Sequence, residues 1–354
     1  MIRTIRSVLA YNEFETAIGI RNLKTLPASA SLPVTLTEVA RAAGVSPASA
    51  SRALTGSISV SPELRGRIMA AAARLGYQPN LAARALASRH SKLIALVVEG
   101  LQERLIAATI EATGAALQEH GYGVLLLVPK VQQGAAVRAI LTSGAEGAVC
   151  VGWPISREDV AALDRSGIPS IVVSEGAAWS DPRRVDLGRL RGAELAVSYL
   201  LQQGHRRFGF LLRDAATGGQ VATLLEHVGA APTVVEVPPA SDPDTIQGAV
   251  QELLAAPSRP TAILCRGDSE ALAAVRACGT FGLRVPQELS VVGFGDEPLA
   301  RYVRPGLTTV RVAANELGRW CAGALLDILT GRSATAHAPT IRLVIRETTG
   351  PAPA

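Results

Sequence analysis

The chain has 354 residues, of which 48% are hydrophobic and 18% charged, a composition that predicts a folded protein of two or three domains and excludes dominant disorder. No apolar stretch approaches the roughly 20 residues that a membrane span needs, and residues 1–33 lack the apolar run of a secretory signal. The four cysteines lie far apart, which excludes a paired zinc motif and favours a reduced, cytoplasmic setting.

Positive charge is concentrated near the start of the chain. Residues 34–92 contain eight basic and two acidic side chains, whereas the residues from 93 onward carry a small negative net charge. Clustered cations neutralise phosphates, so this segment predicts a nucleic-acid-binding head, with a solvated helical face as the alternative. Residues 1–33 show no period and are predicted to be a disordered extension or an over-extended start; a basic arm is the alternative.

Three short helices are predicted in the head. Thr35 and Glu38 have the spacing of a capping box at the start of the first helix, and Gly44 then turns the chain. Ser46 precedes Pro47 at the start of the second helix, and Ser61 precedes another proline at the start of the third. This order predicts a helix-turn-helix whose second helix, 47–54, enters the major groove of DNA.

After residue 92 the pattern changes to alternating strands and helices. Helical stretches such as 104–120 and 157–166 separate short apolar runs. The predicted strands are 93–98, 124–128, 148–151, 168–173, 207–212, 233–237, 262–265, 289–293 and 341–345. These are too many strands for one ordinary sheet, so two doubly wound subdomains are expected.

Several stretches of this sequence resemble the LacI/GalR family of bacterial repressors. They are VTLTEVARAAGVSPASASRALTG (34–56), VSPELRGRIMAAAARLGYQPNLAARALASR (60–89), LLQQGHRRFGF (200–210), GLRVPQELSVVGFGD (282–296) and GLTTVR (306–311). The resemblance implies an N-terminal all-α helix-turn-helix DNA-binding domain with a hinge helix, followed by an α/β core of two doubly wound subdomains like periplasmic binding proteins.

The implied divisions are 34–79 for the DNA-binding domain, 80–92 for hinge helix and linker, 93–187 with 310–336 for the first core subdomain, 188–309 with 337–349 for the second, and 350–354 for a tail. The hinge helix at 81–87 is too short to be stable alone, so it is expected to form on DNA beside its dimer mate.

The resemblance also implies which side chains meet DNA: Thr35, Ser46, Pro47, Ala48, Ser49, Ser51, Arg52, Thr55, Ser61, Tyr77, Asn80, Ala83 and Leu86. Hydroxyls would contact phosphates, and Tyr77 and Asn80 would anchor the junction. Because Pro47 and Ala48 cannot hydrogen-bond through their side chains, Arg52 is the best candidate for a guanine edge, with a phosphate contact as the alternative.

Near the hinge, the resemblance implies that Leu86 wedges into a minor-groove base step and that Ala83 leaves space for close approach. A linker leucine buried on the core is the alternative for Leu86.

A small-molecule effector, of sugar or nucleoside class, is implied for the cleft between the core subdomains. The sequence departs from the family there, with Gly295 where an aspartate is usual and no arginine in 217–227. The candidate effector residues are Trp153, Arg213, Asp268 and Asp296. Simple packing is the alternative for Trp153, and helix capping for Asp268. No metal and no cofactor are predicted.

The sequence thus predicts a cytoplasmic, nucleoid-associated transcriptional regulator that binds a pseudo-palindromic operator as a homodimer and represses. A tetramer, a regulator without an effector and a solute-binding protein remain alternatives. An enzyme is not predicted, because the sequence contains neither a phosphate-binding loop nor a nucleophile elbow.

Overall fold

The computed structural model describes residues 34–54, 60–78, 90–175, 181–212, 231–236, 242–335 and 338–353. Predictions for residues 1–33, the hinge helix at 81–87, Arg213 and 217–227 lie outside the described residues. The same holds for Thr55, Asn80, Ala83 and Leu86. The described residues of the head and of the core form two separate compact units.

The head contains three helices, α1 (Leu36–Ala43), α2 (Pro47–Leu54) and α3 (Pro62–Leu75). The predicted capping box is confirmed, since the Glu38 amide donates to Thr35 Oγ1 at 3.3 Å and the Thr35 amide donates to Glu38 Oε2 at 2.7 Å. Gly44 has the left-handed conformation that the turn after α1 requires. Small side chains dominate the shared core, which lets the helices cross closely. The buried residues are Val39, Ala40, Ala43, Ala50, Ala53, Val60, Ile68, Ala71 and Ala72.

The first sheet of the core is parallel and has the strand order β2-β1-β3-β4-β5. Its strands are β1 (Leu93–Val98), β2 (Gly123–Leu127), β3 (Gly147–Val151), β4 (Ser170–Ser174) and β5 (Arg184–Asp186). The helices between them are α4 (Arg104–Glu119), α5 (Ala135–Ser143) and α6 (Arg157–Arg165). Strands β1 and β3 are apolar and almost wholly buried, and β4 is buried with an apolar centre between two serines, as expected for a parallel sheet covered on both faces.

The second sheet has the order β11-β10-β9-β8-β6-β7, in which only β11 is antiparallel to its neighbour among the described strands. Its strands are β6 (Arg207–Leu212), β7 (Ala231–Glu236), β8 (Ala262–Cys265), β9 (Ser290–Phe294), β10 (Thr308–Val312) and β11 (Ile341–Val344). The accompanying helices are α7 (Arg189–Gln202), α8 (Pro243–Ala255), α9 (Asp268–Thr280) and α10 (Leu299–Tyr302), and α11 (Ala314–Leu329) packs against α4 beside the first sheet.

The chain passes between the sheets more than once. It crosses from the first sheet to the second sheet's layer between β5 and α7. It crosses back to the first sheet's layer between β10 and α11, and returns to the second sheet between α11 and β11. The two expected doubly wound sheets are confirmed, whereas the exact subdomain boundaries stay a prediction. Strands β5 and β10 were not predicted, because the first spans only three residues and the second contains two threonines and an arginine. Among the described residues, none of the helices has the length and apolar character needed to span a membrane.

Residues 350–352, expected to form a tail, are hydrogen-bonded to the second sheet's layer. Buried His205 contacts the Gly350 carbonyl through Nε2 at 3.1 Å and Thr261 Oγ1 through Nδ1 at 2.9 Å. The Ala352 amide donates to the Gln203 carbonyl at 2.8 Å. Burial lowers the pKa of His205, so its ring is held in the neutral form.

Candidate nucleic-acid interface and ligand cleft

The exposed end of the head is the start of α2. Ser46 Oγ accepts a hydrogen bond from the Ser49 amide at 3.2 Å, and the two hydroxyls lie 2.9 Å apart. Pro47 and Ala48 are exposed, while Ala50 on the opposite side of the helix is fully buried. The helix therefore presents its first turn outward, with the polar backbone amides and positive dipole end that favour phosphate contact.

Arg52 is exposed one turn further along α2. Its Nε donates to the carbonyl of Ala48 at 3.3 Å, so the guanidinium lies back along the helix toward the exposed first turn. The side chain is long enough to leave this weak contact for a base edge. Because neither Pro47 nor Ala48 offers a hydrogen-bonding side chain, Arg52 is the only side chain on the outward first two turns that can read guanine by a bidentate contact.

Two of the other predicted DNA contacts in the described head, Thr35 and Ser61, are helix caps. Thr35 is engaged with Glu38, whose pKa is lowered by hydrogen bonds from the Thr35 backbone and hydroxyl. Ser61 Oγ accepts from the Leu64 amide at 3.3 Å at the start of α3. Ser51 is half-buried, and Tyr77 packs against the head core. These positions place hydroxyls and helix N-termini at the surface, where they can meet phosphates.

The second candidate site lies at the carboxyl ends of the first sheet's strands, the usual ligand position in doubly wound sheets. A cavity of about 290 Å³ opens there. Its polar and aromatic lining residues are Glu99, Glu103, Trp153, Ser174, Glu175 and Arg184. We call it the acidic cavity. Trp153 lines this cavity with a largely buried side chain, and its effector role stays a prediction.

Arg189 connects the acidic cavity with the second sheet. It is the first residue of α7, which packs on β8, β10 and β11, and only 9% of its surface is exposed. Its guanidinium forms ion pairs with Glu103 and, at 2.5 Å, with Glu175, both of which belong to the first sheet's layer. We call this arrangement the Arg189 clamp.

The second sheet supplies the other partners of the Arg189 guanidinium. Nη1 donates to the Arg266 carbonyl at 2.9 Å, and the group stacks 5.1 Å from the Phe294 ring centre. The clamp was missed by sequence reasoning. One signal was present: an arginine at the first position of a helix opposes the helix dipole and therefore needs a carboxylate partner.

Asp268 lies in the second sheet's layer, away from the acidic cavity. Its carboxylate accepts hydrogen bonds from Thr309 Oγ1 at 2.5 Å and from the Glu297 amide at 2.6 Å, and the residue has no exposed surface. Burial raises the pKa of Asp268 to about 6, even though both hydrogen bonds lower it. Both hydrogen bonds to the Asp268 carboxylate come from protein groups. Its effector role stays a prediction.

Asp296 is likewise engaged by protein groups. Arg311 and Arg346 form ion pairs with its carboxylate, and Arg301 lies 3.6 Å away. Burial opposes ionisation, but the hydrogen bonds from Arg346 and Arg311 outweigh it and lower the pKa of Asp296. Its effector role, too, stays a prediction.

The glycine that replaces the usual aspartate has a local explanation. Gly295 has a φ of +127°, which side chains rarely adopt, and a Cβ there would lie 3.8 Å from Asp268 Oδ2. A side chain at residue 295 would therefore be held in a strained backbone conformation.

Two family models match this chain, one over the head and one over part of the core. The family described as bacterial regulatory proteins, lacI family, matches residues 35–80, and the periplasmic binding protein-like domain matches residues 197–349. The HTH-type transcriptional regulator GntR of Pseudomonas aeruginosa is 31% identical over 309 residues, covering 84% of this chain and 90% of that protein. The HTH-type transcriptional repressor PurR of Pectobacterium carotovorum is 31% identical over 318 residues, covering 86% and 92%.

Two solved structures of transcriptional regulators are similar to this chain in fold. The lac repressor dimer bound to operator and the anti-inducer ONPF has a TM-score of 0.79 and 26% identity, covering 90% of this chain and all of that one. The transcriptional regulator CelR in complex with cellobiose has a TM-score of 0.62 and 25% identity, covering 89% and 99%.

Proposed function

The chain belongs to the LacI family of bacterial regulatory proteins, and from this premise we propose that it represses transcription by binding a pseudo-palindromic operator as a homodimer. The observation that carries the proposal is the head, in which the exposed first turn of α2 stands on a compact three-helix core with a surplus of basic residues. It is a DNA-binding regulator and not an enzyme.

On DNA, α2 would lie in the major groove with Ser46 and Ser49 near the backbone and Arg52 toward the bases. Hydroxyl and amide contacts to phosphates set the position of the helix but carry no sequence information. Sequence preference would then rest on Arg52 and on close approach at Pro47 and Ala48, which suits thymine methyl groups. The hinge residues Asn80, Ala83 and Leu86 would add minor-groove contacts as the family resemblance implies.

Dimerisation is supported by exposed apolar side chains on the core. Leu126 and Val128 lie at the end of the edge strand β2, with Val131 and Leu141 following on the connection to α5 and on that helix. Near the second sheet, Tyr302 is 78% exposed. Large exposed apolar groups on an edge strand mark an interaction surface, and a second copy of this chain is the occupant that the lac repressor dimer suggests. Assembly of two dimers into a tetramer stays open.

Effector control is proposed for the cleft at the acidic cavity. The Arg189 clamp joins the layers of the two sheets, so a ligand that changes its ion pairs would change how the sheets are held together. Location in the cytoplasm at the nucleoid follows from the operator as target and is part of the proposal.

The test is fluorescence anisotropy with a labelled inverted repeat taken from the DNA upstream of the protein's own coding region. We expect a dimer per operator, and an affinity that falls steeply with salt because several phosphates are neutralised in each half-site. A scrambled duplex of the same length and composition is the control. Equal affinity for both duplexes, or a flat salt response, would contradict the proposal.

A further inference from the structure

We propose that Lys92 and Glu146 are positioning residues for operator binding: together they fix the direction in which the chain leaves the core toward the DNA-binding domain. The inference rests on the proposed function, since it concerns how the regulator presents its head to DNA. It is carried by a strained backbone conformation at Lys92 and by hydrogen bonds that hold this residue to two strands.

Lys92 is the residue at which the chain enters the core. It directly precedes β1, the strand that lies between β2 and β3 in the first sheet. The head and the core are separate compact units, and one covalent segment, which ends at Lys92, joins them. The direction of the chain at Lys92 therefore sets the direction in which that segment begins.

The backbone of Lys92 is strained. Its φ is +55°, in the left-handed region, and among the described residues other than glycine only Asp296 shares this feature. Left-handed backbone is unfavourable for a lysine, because its Cβ lies too close to the following carbonyl oxygen. An extended residue would continue the line of β1, whereas a left-handed residue turns the chain away from it. Such strain persists only where surrounding contacts hold it, and it is concentrated at functional positions.

Hydrogen bonds on both sides of Lys92 hold this conformation. Its amide donates to Glu146 Oε1 at 2.9 Å, and its carbonyl accepts from the Gly123 amide at 2.7 Å. Glu146 directly precedes β3, and Gly123 is the first residue of β2. Lys92 is therefore tied to both neighbours of β1. We call this arrangement the Lys92 anchor.

Side chains add to the anchor. Lys92 Nζ lies 3.3 Å from the Tyr122 hydroxyl and 4.3 Å from the centre of its ring, which is a cation–π contact. His90 Nδ1 lies 3.5 Å from the same Glu146 oxygen that accepts the Lys92 amide, and the Glu146 side chain is only 18% exposed. One half-buried carboxylate thus contacts the chain at two positions on the hinge side of β1.

The strain and the hydrogen bond to Glu146 oppose each other. While Glu146 holds the amide, Lys92 stays left-handed; without this bond, Lys92 relaxes to a negative φ and the preceding residues leave the core in another direction. Operator binding requires the two heads of a dimer at a set distance, so a changed or mobile exit adds an ordering cost to binding. The Glu146 carboxylate should therefore contribute to operator affinity although it belongs to the core.

The experiment is fluorescence anisotropy of full-chain variants with the same labelled inverted repeat and scrambled duplex. Glu146→Ala removes the acceptor of the Lys92 amide and should weaken specific binding about threefold to tenfold, as expected for one lost hydrogen bond. Glu146→Gln keeps an oxygen that can accept from this amide and should bind the operator like wild type. The scrambled duplex should bind all variants alike.

Two double variants test the backbone conformation itself. Glycine adopts the left-handed conformation without strain, so Glu146→Ala combined with Lys92→Gly should regain most of the lost operator affinity. Glu146→Ala combined with Lys92→Ala is the matched control, because it lacks the same lysine side chain but keeps a Cβ and its strain. This control should bind as weakly as Glu146→Ala or more weakly.

Asp181 provides the control for losing a carboxylate from the first sheet. It accepts a hydrogen bond from the Arg183 amide at 2.9 Å just before β5, and its side chain is 19% exposed. Asp181→Ala should lower the melting temperature at least as much as Glu146→Ala does, yet leave operator affinity unchanged. A carboxylate that only stabilises the fold is thereby separated from one that positions the exit.

The proposal is overturned if Glu146→Ala binds the operator like wild type, if the two double variants bind it alike, or if Asp181→Ala weakens binding as much as Glu146→Ala. Should Glu146→Ala not fold, the single variants Lys92→Gly and Lys92→Ala decide: the glycine variant should bind the operator more tightly, and equal binding counts against the anchor. Specific binding by wild type without any effect of these variants rejects only this inference, whereas equal affinity of wild type for both duplexes counts against the proposed function.

Discussion

Replacing Asp268 by asparagine should stabilise the core at neutral pH. The wild-type carboxylate is fully buried, and its pKa of about 6 lies above the ordinary value of 3.8 because burial disfavours the charge. Asparagine keeps an oxygen that can accept from the Glu297 amide and an amide group that can donate to Thr309 Oγ1, yet it carries no charge. The variant therefore removes the desolvation cost while preserving both contacts.

The size and pH dependence of this gain follow from the pKa. A tenfold change in an ionisation constant is worth about 1.4 kcal/mol, so the rise of the Asp268 pKa corresponds to a penalty of at most about 3 kcal/mol. Because the pKa of Asp268 is higher in the folded protein than in the unfolded chain, the wild type keeps its full stability below pH 3.8. Its free energy of unfolding then falls as the pH rises from 3.8 to about 6. The advantage of the asparagine variant should thus be small near pH 4 and full above pH 6.

Urea unfolding of wild type and Asp268→Asn at pH 4, 5, 6 and 8 measures this difference. Asp296→Asn is the opposing control: the arginines lower the pKa of Asp296, so losing its charge should destabilise the protein above pH 3.8. If instead Asp268→Asn became progressively less stable than wild type as the pH rose from 4 to 8, the hydrogen bonds from Thr309 and Glu297 to the charged carboxylate would outweigh the burial penalty, and the reasoning would be refuted.

Four further predictions concern the head, the hinge and the termini. Arg52→Ala should cost about 1–3 kcal/mol of operator binding and relax preference at one base pair per half-site; uniform weakening of all operator variants in anisotropy titrations would make Arg52 a phosphate contact. Leu86→Ala should reduce operator bending in circular-permutation gel shifts and leave the melting temperature unchanged, and a clear drop in melting temperature would identify a core leucine instead. Removal of residues 1–33 should leave operator binding and stability unchanged, and a large loss of affinity would indicate a basic arm. His205 should lower stability as the pH falls below its ordinary pKa of 6.5, because the unfolded chain is protonated first; thermal melts between pH 8 and pH 5 should show this slope, and His205→Gln should flatten it.

The sequence by itself determined the head, because the signals for its helices are local. The Thr35–Glu38 capping box, the cap at Ser46 and the cap at Ser61 each involve residues no more than three positions apart, and the structure confirms all three. The apolar runs of the buried parallel strands are equally local, which is why most strands and the pair of doubly wound sheets could be predicted.

The side-chain contacts of the cleft became known only from the tertiary structure, because they join residues far apart in the sequence. Arg189 meets Glu103 across 86 positions and Asp296 meets Arg346 across 50, and neither pairing has a period or spacing to reveal it. Asp268 and Asp296 follow strands β8 and β9 in the sequence, but only the fold shows what their carboxylates contact. Asp268 accepts two hydrogen bonds from protein groups, and Asp296 forms ion pairs with arginines. A side chain's chemistry is readable in the sequence; its partners depend on how the chain crosses between the two sheets.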